Sequence, residues 1–211
     1  MLGWIIRNYR DGEDRRCELW RDRWRNGRGL FGIRSVTLNL FAFYHAQTLA
    51  TLFVFLVPLF LACQNTDPQM HLLEWIGVAT WGSSFLLESI ADYQLNRFRT
   101  SKSCSSGVCR SGLWRYSRHP NYFFEFLIWC SYAVFALPSA VTGFDFLLLA
   151  LVPVVGYWFL VYFTGVPMTE LASLRRRGEP YARYQAETNR LFPWFPRCGD
   201  AGDSRLTPSG D

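Results

Sequence analysis

The chain has 211 residues, half of them hydrophobic and 18% charged, which is too apolar for a disordered or purely polar protein. Its mean hydropathy of +0.02 averages Arg-rich blocks with apolar runs of membrane-spanning length. The net charge of +5 rests on 22 basic residues, of which Lys102 alone is a lysine, gathered in three blocks as in a membrane protein.

Residues 1–35 form a basic interfacial segment, with Trp4, Trp20 and Trp24 suited to headgroup depth. They lack the apolar stretch of a signal peptide, so entry into the membrane is expected through the first span. Gly27, Gly29 and Gly32 spell the spacing of a dinucleotide fingerprint. That motif needs a strand before it and a soluble helix after it, whereas here an Arg-rich segment precedes and an apolar run follows.

Four apolar stretches follow at 36–62, 72–90, 122–137 and 144–166. At ~1.5 Å per residue the first reaches roughly 40 Å and the third about 24 Å, against a hydrocarbon core of about 30 Å. All 22 basic residues fall before 36, between 91 and 121, or after 167, and none falls in the turns 63–71 and 138–143. By the positive-inside rule this predicts an all-α, four-span bundle over 36–166 with both termini cytosolic. Its membrane would be the endoplasmic reticulum in a eukaryote or the inner membrane in a bacterium. Lipids are the expected surroundings and nucleic acid is not an expected partner.

The six cysteines include only Cys63 near the predicted non-cytosolic side, which argues against a disulfide framework. Cys104 and Cys109 lack metal-knuckle spacing, and no metal is expected. The loop 100–112 is Ser/Cys/Gly-rich and reads as flexible. Residues 167–197 read as cytosolic helices broken near Gly178, with Pro180 in the first turn of the last one. From 198 onward the composition is that of a disordered tail.

The chemical centre is 112–125, GLWRYSRHPNYFFE. Pro120 suits a helix start and biases His119 to an extended conformation, which puts Arg118 and His119 just outside the third span. Arg115, Arg118 and the free N–H groups of that helix end suit a phosphate. They equally suit an interfacial cap whose arginines snorkel to headgroups. Glu125, one turn inside, is costly in a membrane helix unless paired, protonated or functional. Tyr122, Glu125, Trp129 and Tyr132 recur at helical spacing, as do Trp81, Ser84, Glu88, Asp92, Asn96 and Arg99 on the second span. Two such polar stripes describe a cavity open to the cytosolic face, or an inert bundle joined by buried hydrogen bonds.

GLWRYSRHPNYFFE, the upstream ADYQLNRFR and the downstream TGVPMTELASLRRRGEPYARYQAETNRLFPWFP resemble an uncharacterised membrane family related to the C-terminal domain of steroid 5-alpha-reductase. A looser likeness extends to sterol reductases and isoprenylcysteine carboxyl methyltransferases. The resemblance implies that Asp92, Arg99 and Asn121 line an NADPH pocket. It also implies that Arg118, His119, Tyr122 and Glu125 complete its motif, and that Glu170, Tyr181 and Tyr184 close over the cofactor. Phe124 replaces the usual glycine before the acid, and Leu171 replaces an acid common after Glu170 in the methyltransferase branch. The implied activity is NADPH-dependent reduction of a carbon–carbon double bond in a sterol-like or other lipid substrate, with Tyr122 and Glu125 as candidate catalytic groups. An S-adenosylmethionine-dependent lipid methyltransferase and a noncatalytic protein keeping the fold are the alternatives. In the steroid reductases the residues serving the substrate carbonyl precede the matched region. Tyr44, His45 and Glu88 are therefore candidates for that acid by depth alone.

Overall fold

The computed structural model describes residues 15–26, 35–101, 107–163 and 165–197. Among the described residues there is no strand. The helices are α1 (Arg15–Arg25), α2 (Val36–Ala62), α3 (Leu72–Thr100), α4 (Pro120–Ala136), α5 (Gly143–Trp158), α6 (Val166–Arg177) and α7 (Glu179–Glu187). A 3-10 turn, Gly112–Arg115, precedes α4, and one π-helical turn, Phe159–Phe163, follows α5. Trp4, the glycine motif at 27–32, Cys104 and the tail from 198 lie outside the described residues.

The all-α bundle expected from the sequence is present, and three stretches are long and apolar enough to cross a membrane: Val36–Ala62, Pro120–Ser139 and Gly143–Arg177. In the last, α5 and the π-helical turn carry the apolar residues, whereas α6 ends in three arginines. The sequence reading expected four spans, and α3 makes the difference. Its 29 residues exceed spanning length, but the helix runs on past Ile90 into a polar end bearing Asp92, Arg97 and Arg99.

Helix ends follow local chemistry. Ser35 Oγ accepts from the Leu38 N–H at the start of α2. His71 Nδ1 accepts from Leu73 N, while buried Glu74 accepts from His71 N at 2.6 Å and from Asn65 Nδ2 at 3.0 Å. Thr142 and Asp145 form the same reciprocal box for α5. Pro120 opens α4, and Pro180 lies in the first turn of α7 after the break at Gly178, as the sequence predicts; Gly178 has φ +58°, and His119, at φ −137° and ψ 59°, is not in the extended conformation expected.

α4 is the central helix, packing on α2, α3 and α5. α3 and α4 run antiparallel in register over about four turns. Gly77 touches Phe135 near one end, Trp81 Nε1 donates to Tyr132 Oη at 3.3 Å, and Asp92 meets Asn121 at the other end. A Cβ at Gly77 would lie 2.9 Å from Phe135 Cβ, so only glycine lets the two helices close there. Val54, Leu61, Ala133, Ala136, Leu149 and Val152 form the core between α2, α4 and α5. A second cluster of Leu160, Val161 and Leu191 ties the arginine-rich end together.

Three expectations are corrected by packing. Trp24 is 1% exposed, its ring set against Trp20 and Phe43, and is not presented to headgroups. Residues 107–110 of the supposed flexible loop are tied down, since Arg110 pairs with Glu187 at 2.7 Å. The stripe on α4 splits between two faces. Glu125 and Tyr132 look toward α3, whereas Tyr122 and Trp129 pack against Gly165 and Gly156 on the other side.

Candidate functional site

The site is assembled where the 3-10 turn, the start of α4 and the α6–α7 segment meet the polar end of α3. Trp114 Nε1 donates to Ala91 O at 2.9 Å, and Leu113 N donates to Gln94 Oε1 at 3.0 Å, which fixes the turn onto α3. Gly112 allows this: its φ is +60°, and a Cβ there would collide with the Gln94 side chain. Ser117 Oγ donates to Leu191 O at 2.7 Å and accepts from His119 N at 3.1 Å, which holds the chain at the entry to α4.

Two polar groupings result, on opposite sides of α4. On the α3 side Asn121 Nδ2 donates to Asp92 Oδ1 at 3.2 Å. A carboxylate only accepts, so this bond turns Asn121 Oδ1 the other way, where it is buried without a hydrogen-bond partner. One turn deeper, Glu125 lies close enough to Glu88 and Asp92 to interact with both charges. Only Glu125 and Tyr132 of the α4 stripe read from the sequence lie in this seam, together with Asn121, which was not on that stripe.

On the α6 side Glu170 is the hub. Its Oε1 accepts from Arg118 Nε and Nη2, both at 2.8 Å, and from His119 Nε2 at 3.3 Å. Arg118 Nη1 also donates to Gln185 O at 2.7 Å and Thr188 O at 2.6 Å. The Arg118 side chain is 10% exposed, so in place of the phosphate cradle or headgroup cap expected from the sequence it forms a filled joint. The His119 and Tyr122 rings stack at 5.4 Å, and Tyr122 Oη lies 3.4 Å from Thr169 Oγ1. Tyr184 Oη donates to Trp114 O and, at 3.1 Å, to Ser117 O. Tyr181 is buried beside it.

Electrostatics follow from this packing. Burial pushes His119 below its ordinary value, opposed by its hydrogen bond to Glu170. Burial would raise Glu170, but the His119 hydrogen bond and the Arg118 charge outweigh it and hold the carboxyl below its ordinary value. Burial pushes Tyr181 up to about 12 and Tyr184 higher still, so both stay protonated donors.

Asp92, Asn121 and Glu125 thus share one seam, while Arg118, His119, Tyr122, Glu170, Tyr181 and Tyr184 share the adjoining joint. Arg99 and Arg115 are exposed at the same end of the bundle. Tyr44 and His45 are not in the site: both are exposed on the outer surface of α2, and His45 Nδ1 is bonded to Phe41 O at 2.8 Å. Sequence reasoning missed Gln94, Ser117, Thr169 and Arg190. Ser117 lies inside the quoted motif, but nothing in the pattern distinguishes a hydroxyl that bridges 74 residues of chain.

An uncharacterised protein of Schizosaccharomyces pombe is 28% identical over 142 residues, covering 59% of this chain and 39% of the yeast protein. The match therefore spans about two fifths of that relative's length. No solved structure matches. A family model described as a protein of unknown function (DUF1295) matches residues 2–188, from ahead of α1 to the end of α7. That stretch contains both polar groupings and the helices that carry them, and on its extent the chain belongs to the DUF1295 family.

Proposed function

We propose that this protein is an NADPH-dependent membrane reductase that saturates a carbon–carbon double bond in a sterol-like or other lipid substrate, as its resemblance to the steroid 5-alpha-reductase domain implies. The observation that supports this reading best is Asn121. Its amide is oriented by Asp92 and leaves a buried oxygen without a donor. A primary carboxamide, the group nicotinamide carries, supplies the missing N–H. Arg99 lies two turns from Asp92 on one face of α3 and offers a guanidinium group suited to a phosphate. Bound NADPH would supply the hydride. The chain's own part is to hold Asn121 in orientation. It also places a proton donor, Glu125, for the substrate oxygen, whereas Tyr122 is turned to the α6 side. Arg118, His119, Glu170, Tyr181 and Tyr184 act as positioning residues that lock the α4 entrance to α6–α7. The one-sided arginines favour a cytosolic position for this entrance, with both termini on that side and α3 as a fourth span.

One observation favours S-adenosylmethionine instead. Asp92, Glu88 and Glu125 gather three carboxyl groups that a sulfonium would suit, while Arg118 is taken by Glu170. Titration of the detergent-purified protein with each cofactor decides between them. NADPH should bind, and Asn121→Ala should weaken it roughly tenfold or more. Binding of S-adenosylmethionine with none of NADPH refutes the reductase reading.

A further inference from the structure

The last described segment, Arg190 to Arg197, exposes three large aromatics: Phe192 at 53%, Trp194 at 69% and Phe195 at 73%. A loose end would fold such side chains away, but this segment cannot. Its backbone is fixed by Arg118 N to Asn189 O, Ser117 Oγ to Leu191 O, Trp194 N to Tyr116 O and Arg197 N to Glu187 O, at 2.7 to 2.9 Å. Leu191 points inward and is 4% exposed, so the outward set of Phe192, Trp194 and Phe195 is built into the fold.

The segment also touches the membrane-spanning helices directly. The Phe192 ring stacks on Tyr157 of α5 at 6.2 Å and meets Phe123 and Phe126 of α4 edge-on. Arg190 Nη2 donates to Val161 O in the π-helical turn. The exposed aromatics are therefore continuous with the apolar surface of α4 and α5 at its arginine-rich end. Beside them stand Tyr116, whose ring meets Phe195 at 5.9 Å, and the exposed Arg115 and Arg197. Among the described residues Glu187, whose carbonyl accepts from Arg197 N, has its carboxylate paired with Arg110 at 2.7 Å.

We propose that this segment is an interfacial strap, seated in the headgroup layer of the membrane the bundle spans, with Arg115 and Arg197 binding anionic phospholipid headgroups. Aromatic rings at headgroup depth beside arginines are the pattern such a layer favours. The anionic leaflet is the cytosolic one, the side on which positive charge is retained. The strap holds the α6–α7 joint against the bilayer and thereby sets the depth of the α4 entrance.

The test uses the full chain in nanodiscs and does not depend on which cofactor binds. Trp194 is isolated as the difference in fluorescence between the wild type and Trp194→Phe. Phosphatidylcholine brominated near the headgroup should quench it, and aqueous iodide should not. Brominated phosphatidylserine, diluted into phosphatidylcholine, should quench it more than brominated phosphatidylcholine at equal fraction. That preference should fall by about fivefold in local lipid enrichment for each of Arg115→Gln and Arg197→Gln. Quenching by iodide but not by bromolipid overturns the strap and leaves the patch to a protein partner. A serine-lipid preference that survives both arginine substitutions, or is absent in the wild type, overturns the headgroup assignment.

Discussion

Replacing Arg118 by alanine removes two donors to Glu170 and two to the carbonyls of Gln185 and Thr188. Glu170, with 14% of its side chain exposed, keeps only His119 and a contact to Arg190 at 3.9 Å. Leaving a buried charge uncompensated costs about 3 to 5 kcal/mol, more than the net worth of the intact pair. For a chain of this size that is a fall of roughly 6 to 20 °C in Tm. Thermal unfolding of the detergent-solubilised protein reads it, and limited proteolysis around Gly178 shows whether α6–α7 has come loose. Glu170→Gln should cost nearly as much, because it leaves the guanidinium without its anion. The double variant should cost clearly less than the two single losses added. Arg118→Lys should recover part of the loss, since an ammonium keeps the charge but not the fork. A Tm within 2 °C of wild type for Arg118→Ala, or strictly additive losses, would refute the joint and return Arg118 to a ligand-binding role.

Acid should destabilise the same joint. His119 has a folded value below its ordinary 6.5, so the unfolded chain takes the proton first; its contribution is complete above about pH 6.5 and is lost as pH falls toward the folded value. Glu170, held below its ordinary 4.5, loses its contribution in the same direction at lower pH. A Tm that is flat from pH 7 to pH 5 contradicts the His119 contribution, and one that is flat from pH 5 to pH 3 contradicts that of Glu170. Gly77→Ala should cost about 1 to 3 kcal/mol by forcing α3 off Phe135, whereas Gly82→Ala, with nothing within 4 Å, should be neutral or slightly stabilising; equal effects at the two positions would be inconsistent with the close crossing. Thiol labelling should find a cysteine placed at Gln64 shielded from cytosolic reagent and one at Ser106 open to it, and the reverse pattern would invert the topology.

Helix positions were legible because hydropathy and capping are local. The stretch 36–62 coincides with α2, and Pro120, Pro180 and Gly178 mark their helix ends through backbone restrictions that any chain obeys. The apolar run of α3 ends at Ile90, but the helix continues ten residues to Thr100, as the helical spacing of Asp92, Asn96 and Arg99 implied, because backbone hydrogen bonding does not end at the edge of hydropathy. The nearness of Asp92 to Asn121 was expected from the family resemblance and not from the stripes, since Asn121 lies off the stripe read on α4.

Partner choice was not legible. Helical spacing places Tyr122, Glu125, Trp129 and Tyr132 on a shared stripe, but α4 has neighbours on several sides, and only packing against Gly156 and Gly165 draws Trp129 and Tyr122 away from α3. Arg118 read as an anion-binding cation because its chemistry fits a phosphate and a carboxylate equally well. Glu170, 52 residues on, took that place once α6 folded back. The sequence by itself determined where helices form and which end carries the charge, both of which depend on neighbours along the chain. Only the tertiary structure decided which polar group satisfies which, because burial leaves each donor and acceptor a single partner within reach.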